Sequence, residues 1–70
     1  MNAIAVRPGT RLEQLLKHAG LVSTGGEAKI RIQEGEIKVN NQVERRRGYK
    51  LKEGDVVTVG NDTVKVTIKE

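Results

Sequence analysis

The 70-residue chain has no cysteine, no phenylalanine, no tryptophan, one tyrosine, one proline and one histidine. Without cysteine there is no disulfide staple, no thiolate metal site and no thiol nucleophile. With one histidine, no second His or Cys exists to complete a metal site or a catalytic triad. The near-absence of aromatics argues against a platform on which single-stranded bases stack. Long apolar runs are missing too. Ala3 to Val6 is short and follows no basic segment, so neither a secretory signal nor a membrane span is expected, and the expected location is the cytoplasm. Residues 1–70 should form one small domain burying about 60% of its unfolded surface, too little for a long catalytic cleft.

What is present is aliphatic and basic. The Leu, Ile and Val content suits one layer of helices on one small sheet. The formal net charge is +4, unevenly spread. Residues 7–52 hold eleven of the thirteen basic residues against five acids, whereas 53–70 hold two against four. Such asymmetry suits a polyanionic partner, although charge alone favours a merely solubilising surface.

Local signals divide the chain. Ile4 and Val6 alternate with Ala3 and Ala5 as a short strand, ended by Pro8-Gly9. Thr10 and Glu13 have capping-box spacing and should open helix one, about ten residues long. Leu12, Leu15, Leu16 and Ala19 form its apolar stripe, and Gly20 ends it. Thr24 and Glu27 repeat the capping pattern for helix two, about Gly25 to Glu34, whose thin apolar face is Ala28 and Ile32 with Ile30 displaced. Gly35 closes that helix. Glu36 to Asn40 alternates as a strand, Asn40-Asn41 suits a tight turn, and Val43 continues the sheet. Glu44 to Lys50 is the most basic segment. After a turn at Glu53-Gly54-Asp55, Val57 and Val59 share a strand face, Asn61-Asp62 should turn the chain, and Val64, Val66 and Ile68 return.

In order and spacing, Arg11-Leu12 with Leu15-Leu16, Ala19 to Val22, Ser23 to Lys29, Gln33-Glu34-Gly35, Val39-Asn40 and Gly54-Asp55 resemble the S4-type RNA-binding domain, or αL motif. The likeness covers roughly residues 10–57 and is strongest to the small stand-alone S4-like proteins of bacteria. One position departs: Arg31 stands three after the helix alanine, where the family usually carries an apolar residue. The resemblance implies an α+β fold, two short helices packed on a small, mostly antiparallel sheet. It implies an RNA surface over the starts of helices one and two and the basic loop after the first hairpin. That surface maps onto Arg11, Ser23, Thr24, Lys29, Arg45, Arg46 and Arg47, with Lys17, Arg31, Lys38 and Lys50 as secondary candidates.

Residue chemistry bears on these positions. A helix start with Gly25-Gly26 lets a phosphate approach backbone N–H groups, although Ser23 to Gly26 equally suits a plain capped helix. An extended triple arginine cannot aim three side chains one way, so two of Arg45 to Arg47 should touch RNA; arginine forks suit phosphate. Tyr49 reads as a rim core residue before a base-stacking one, His18 as a surface residue suited to a helix end, and Asp55 as a cap for local N–H groups. The expected function is non-catalytic recognition of structured RNA, ribosomal RNA first and transfer RNA second, by shape and phosphate contacts. The ribosome is a candidate partner in assembly or rescue. No cofactor, metal, membrane or small-molecule substrate is expected. The rivals are a protein-interaction module that kept the fold and lost RNA, and a tRNA-binding partner of a separate enzyme.

Overall fold

A computed structural model describes residues 2–70. It is α+β, with two helices packed on one face of a five-stranded sheet. In chain order the elements are β1 (Asn2–Val6), α1 (Leu12–His18), α2 (Gly25–Gln33), β2 (Ile37–Val39), β3 (Gln42–Val43), β4 (Val56–Val59) and β5 (Asp62–Ile68). The sheet order is β1-β5-β4-β2-β3. All pairings are antiparallel except β1 with β5, which run parallel and join the first strand to the last.

The apolar patterns account for one core. Leu12, Leu15 and Leu16 are fully buried, as are Ala28 and Ile32 of α2. They meet the inward row of the sheet: Ile37, Val39, Val57, Val59, Val64 and Val66. Val22 seals the connection between the helices, and Ile30 stays exposed, as its displacement from the α2 face requires. Because strand side chains alternate between faces, Lys38 and Lys65 project from the opposite, uncovered face, with Thr58, Thr63, Thr67, Ala3 and Ala5.

Several local expectations shift by a residue. The Thr10–Glu13 capping box does not form. The Thr10 carbonyl accepts from Leu51 N (2.9 Å), and its hydroxyl donates to the Arg7 carbonyl (2.7 Å). With Thr10 held by the distant Leu51 segment, Arg11 becomes the N-cap, and its N–H donates to Gln14 Oε1 at 2.9 Å. The α1 helix is accordingly seven residues, not ten. At α2 the Thr24 hydroxyl accepts from Glu27 N at 3.1 Å as expected, but the Glu27 carboxylate reaches past Thr24 to Ser23 N, at 2.7 Å.

Asn40 and Asn41 both take positive φ, 54° and 70°, the backbone of a two-residue hairpin turn. The second hairpin turns at Gly60-Asn61 rather than Asn61-Asp62. Gly60 takes the left-handed conformation (φ 60°), which leaves Asp62 paired with Val59.

Candidate functional site

The basic loop from Glu44 to Lys50 is not regular structure, yet its backbone is tied at many points. Leu12 N donates to the Tyr49 carbonyl at 2.8 Å and Glu13 N to the Arg47 carbonyl at 3.3 Å. Arg11 and Lys50 form an antiparallel bridge. Two of the free N–H groups of the α1 first turn are thus satisfied by loop carbonyls. The same contacts bring Arg11, Arg47 and Lys50 to one end of α1. Arg11 lies against the loop at Gly48, its Cδ 3.9 Å from where a β-carbon there would stand.

A buried polar cluster holds the other side of the loop. Asp55 is 5% exposed. Its Oδ2 accepts from the Tyr49 hydroxyl and from Lys52 N, each at 2.9 Å, and its Oδ1 accepts from Asn40 Nδ2 at 3.0 Å. Asn40 in turn accepts Val56 N at 2.9 Å. Asp55 is therefore the local cap expected of it, and also the knot between the β2–β3 turn, the basic loop and the start of β4. Tyr49 is half-buried against the core, the rim role rather than a free stacking face. Burial, then its hydrogen bond to Asp55, pushes its hydroxyl above the ordinary tyrosine pKa.

The three consecutive arginines have three different surroundings. The Arg46 guanidinium forks onto Glu44, Nε to Oε2 and Nη2 to Oε1, each at 2.9 Å, and lies 5.4 Å from the Tyr49 ring centroid. The Arg46 hydrogen bonds hold the Glu44 carboxyl below its ordinary pKa against a smaller upward push from burial. Arg45 packs over Gly35 at the end of α2. A β-carbon at Gly35 would stand 2.6 Å from Arg45 Nη2, a contact the flexible arginine can relieve by moving, whereas the backbone φ of 80° is what requires glycine there. Arg47 is exposed. Among the described residues Arg11, Arg45 and Arg47 have no ion-pair partner.

The other candidates divide by place. Ser23, Thr24 and Lys29 are exposed along α2, with the Thr24 hydroxyl occupied as a cap. Arg45 lies at the C-terminal end of that helix, about 13 Å along its axis from Ser23 and Thr24 and about 9 Å from Lys29 at 1.5 Å per residue. Lys17 is in the last turn of α1, the opposite end from Arg11. Lys38 projects from the uncovered sheet face, away from both helices. Arg31 is half-buried, paired with Glu36 at 3.1 Å and Glu27 at 3.9 Å. In the position where the family usually has an apolar residue it braces helix to strand instead of entering the core.

Two residues the sequence did not single out for the site are Glu44 and Asn40. The signal for Glu44 was its place beside the only triple arginine; for Asn40 it was a turn asparagine whose side chain also fits Asp55. Chemically, among the described residues, the surface offers guanidinium forks without ion-pair partners. Such forks suit phosphate oxygens.

The matches to known proteins agree with this architecture. Residues 7–67 match the family model described as the S4 domain. The chain is 36% identical over 64 residues, 91% of each protein, to the "Putative RNA-binding protein YbcJ" of Escherichia coli. It is 46% identical over 48 residues to the "Probable ribosome maturation protein RlbA" of Bacillus subtilis, covering 69% of this chain and 68% of that one. The solution structure of Escherichia coli YbcJ, described as revealing an αL motif "involved in RNA-binding", superposes with a TM-score of 0.68 at 35% identity, covering 94% of this chain and 84% of that one. In sequence match, helix-on-sheet architecture and spacing of its motifs, this chain belongs to the S4 domain family.

Proposed function

We propose that the protein is a non-catalytic RNA-binding protein of the cytoplasm that recognises structured RNA, with ribosomal RNA the first choice and the assembling ribosome its setting. The observation that carries this reading is the docking of the basic loop on the start of α1. It brings the backbones of Arg11, Arg47 and Lys50 together at the start of α1, and Arg45 lies beside Gly35 at the end of α2; in this reading these basic residues meet the RNA. The family supports RNA as the partner, and the name of the Bacillus subtilis relative supports a ribosomal setting.

Recognition in this reading is by phosphate position and helix shape. Guanidinium forks take phosphate oxygens, and a surface with one half-buried tyrosine offers little for base stacking. Titration of the protein with protein-free ribosomal RNA at several salt concentrations tests it. If four to six phosphates are neutralised, log affinity should fall against log salt with a slope of roughly −3 to −5. A flat salt dependence, or equal retention by a neutral polymer, would refute it and favour a protein-interaction module.

A further inference from the structure

We propose that Arg46 is a positioning residue that latches the basic loop, leaving Arg45 and Arg47 as the two arginines of the run that meet phosphate. The inference rests on the RNA-binding reading above and adds a division of labour within one triplet. Its first support is that Arg46 is already occupied. The Glu44 carboxylate takes both arms of its guanidinium and also its backbone N–H, the last at 3.1 Å. Glu44 is itself fixed, since its N–H donates to the Ile37 carbonyl of β2 at 3.0 Å, and its side chain is only 15% exposed.

The second support is what lies beyond the fork. Arg46 sits over the Tyr49 ring, within cation–π range, and Tyr49 hands on to buried Asp55 through its hydroxyl. Tyr49 N donates to the Arg46 carbonyl at 3.2 Å, closing the turn from inside. A continuous chain of contacts thus runs from β2 through Glu44, Arg46 and Tyr49 to Asp55. It orders a segment that has no strand or helix of its own. The loop in turn supplies the two carbonyls that close the first turn of α1.

Geometry then separates the neighbours. With Arg46 turned onto Glu44 and Tyr49, Arg45 lies over Gly35, and among the described residues Arg47, as exposed as its neighbours, has no ion-pair partner. A guanidinium neutralised by its own carboxylate displaces few counterions when RNA binds, whereas an unpaired one displaces about one. The two roles therefore have different signatures in salt dependence. Arg46 is an exposed side chain, so the competing possibility is physical: RNA could take the fork away from Glu44.

The test compares Arg45→Gln, Arg46→Gln, Arg46→Lys and Arg47→Gln, each first shown to be folded by circular dichroism, against protein-free ribosomal RNA over a range of salt. Arg45→Gln and Arg47→Gln should each make the slope shallower by about one unit. Arg46→Gln should weaken binding by about tenfold at every salt concentration, through lost preorganisation, with the slope unchanged. Lysine keeps the charge and loses the fork, so Arg46→Lys should stay as weak as Arg46→Gln. Amide hydrogen exchange without RNA gives a second readout. Arg46→Gln should speed exchange at Tyr49 and Glu13, whose N–H groups bond within or onto the loop, and the flanking variants should not.

A slope reduced by about one unit in Arg46→Gln, with binding restored by lysine, would make Arg46 a phosphate contact and overturn the latch. Unchanged exchange at Tyr49 and Glu13 would overturn it as well, whatever the RNA result. If the wild-type protein fails to bind RNA while Arg46→Gln still loosens the loop, it is the RNA reading that falls and the latch that stands.

Discussion

Replacing Asp55 by asparagine changes one atom type at the centre of the fold and should unsettle three segments together. The carboxylate accepts three hydrogen bonds: two on Oδ2, from the Tyr49 hydroxyl and Lys52 N, and one on Oδ1, from Asn40 Nδ2. An amide has one accepting oxygen and one NH₂. If its oxygen replaces Oδ2, its NH₂ faces the Asn40 NH₂. Asn40 cannot turn round, because its own oxygen accepts Val56 N. If the oxygen replaces Oδ1, the NH₂ faces Lys52 N–H, and only the Tyr49 hydroxyl can rotate to accept. One part-buried donor, Asn40 Nδ2 in the first case and Lys52 N in the second, loses its acceptor either way, at a cost of about 1–3 kcal/mol. A chain of this length has roughly 4–10 kcal/mol of total stability. For a domain of this size each kcal/mol moves the melting temperature by about 4–8 °C, so Asp55→Asn should melt about 5–20 °C lower by far-UV circular dichroism. Tyr49→Phe removes only one of the donors and should cost less. A melting temperature for Asp55→Asn within a degree or two of wild type would refute the claim that this carboxylate ties the segments together.

Leu16 is fully buried in the α1 stripe, so Leu16→Ala should destabilise the fold by about 2–5 kcal/mol, read from urea denaturation at constant m-value. Glu44 has a folded pKa lowered mainly by the Arg46 hydrogen bonds. The stability it contributes is present above its ordinary value of 4.5 and is lost as pH falls through the lowered one; Glu44→Gln should flatten that acidic limb of the stability profile. Tyr49 is raised above its ordinary value of 10.0, so its contribution is present below that value and is lost as pH rises through the raised one. Tyr49→Phe should accordingly lessen the loss of melting temperature in alkali. The triple variant Arg45→Gln, Arg46→Gln, Arg47→Gln should make the salt slope of RNA binding shallower by about two units. Lys65→Gln with Lys69→Gln should change binding much less; equal weakening by both would leave only diffuse attraction and remove the loop as a site.

Features that rest on a few consecutive residues are legible along the chain. The Leu12, Leu15 and Leu16 stripe, the alternation of Ile37 with Val39 and of Val64 with Val66, the Asn40-Asn41 turn and the Thr24 cap all appear as periodicity and backbone preference dictate. These local signals also carried the family resemblance, and with it the α+β fold. Features that rest on residues far apart in the chain are set by packing, which no local pattern encodes. Thr10 lost its capping role because its carbonyl pairs with Leu51, forty-one positions on. Arg31 stands where the family usually has an apolar residue, yet it braces α2 to the start of β2 because Glu27 and Glu36 converge on it once the helix ends at Gly35. The parallel pairing of β1 with β5 brings opposite ends of the chain together, and no local pattern specifies it. Within Arg45-Arg46-Arg47 the sequence shows three equal charges. The fold makes them unequal, because Glu44 and Tyr49 flank Arg46 while Gly35 leaves room for Arg45, so their difference lies in the packing around them.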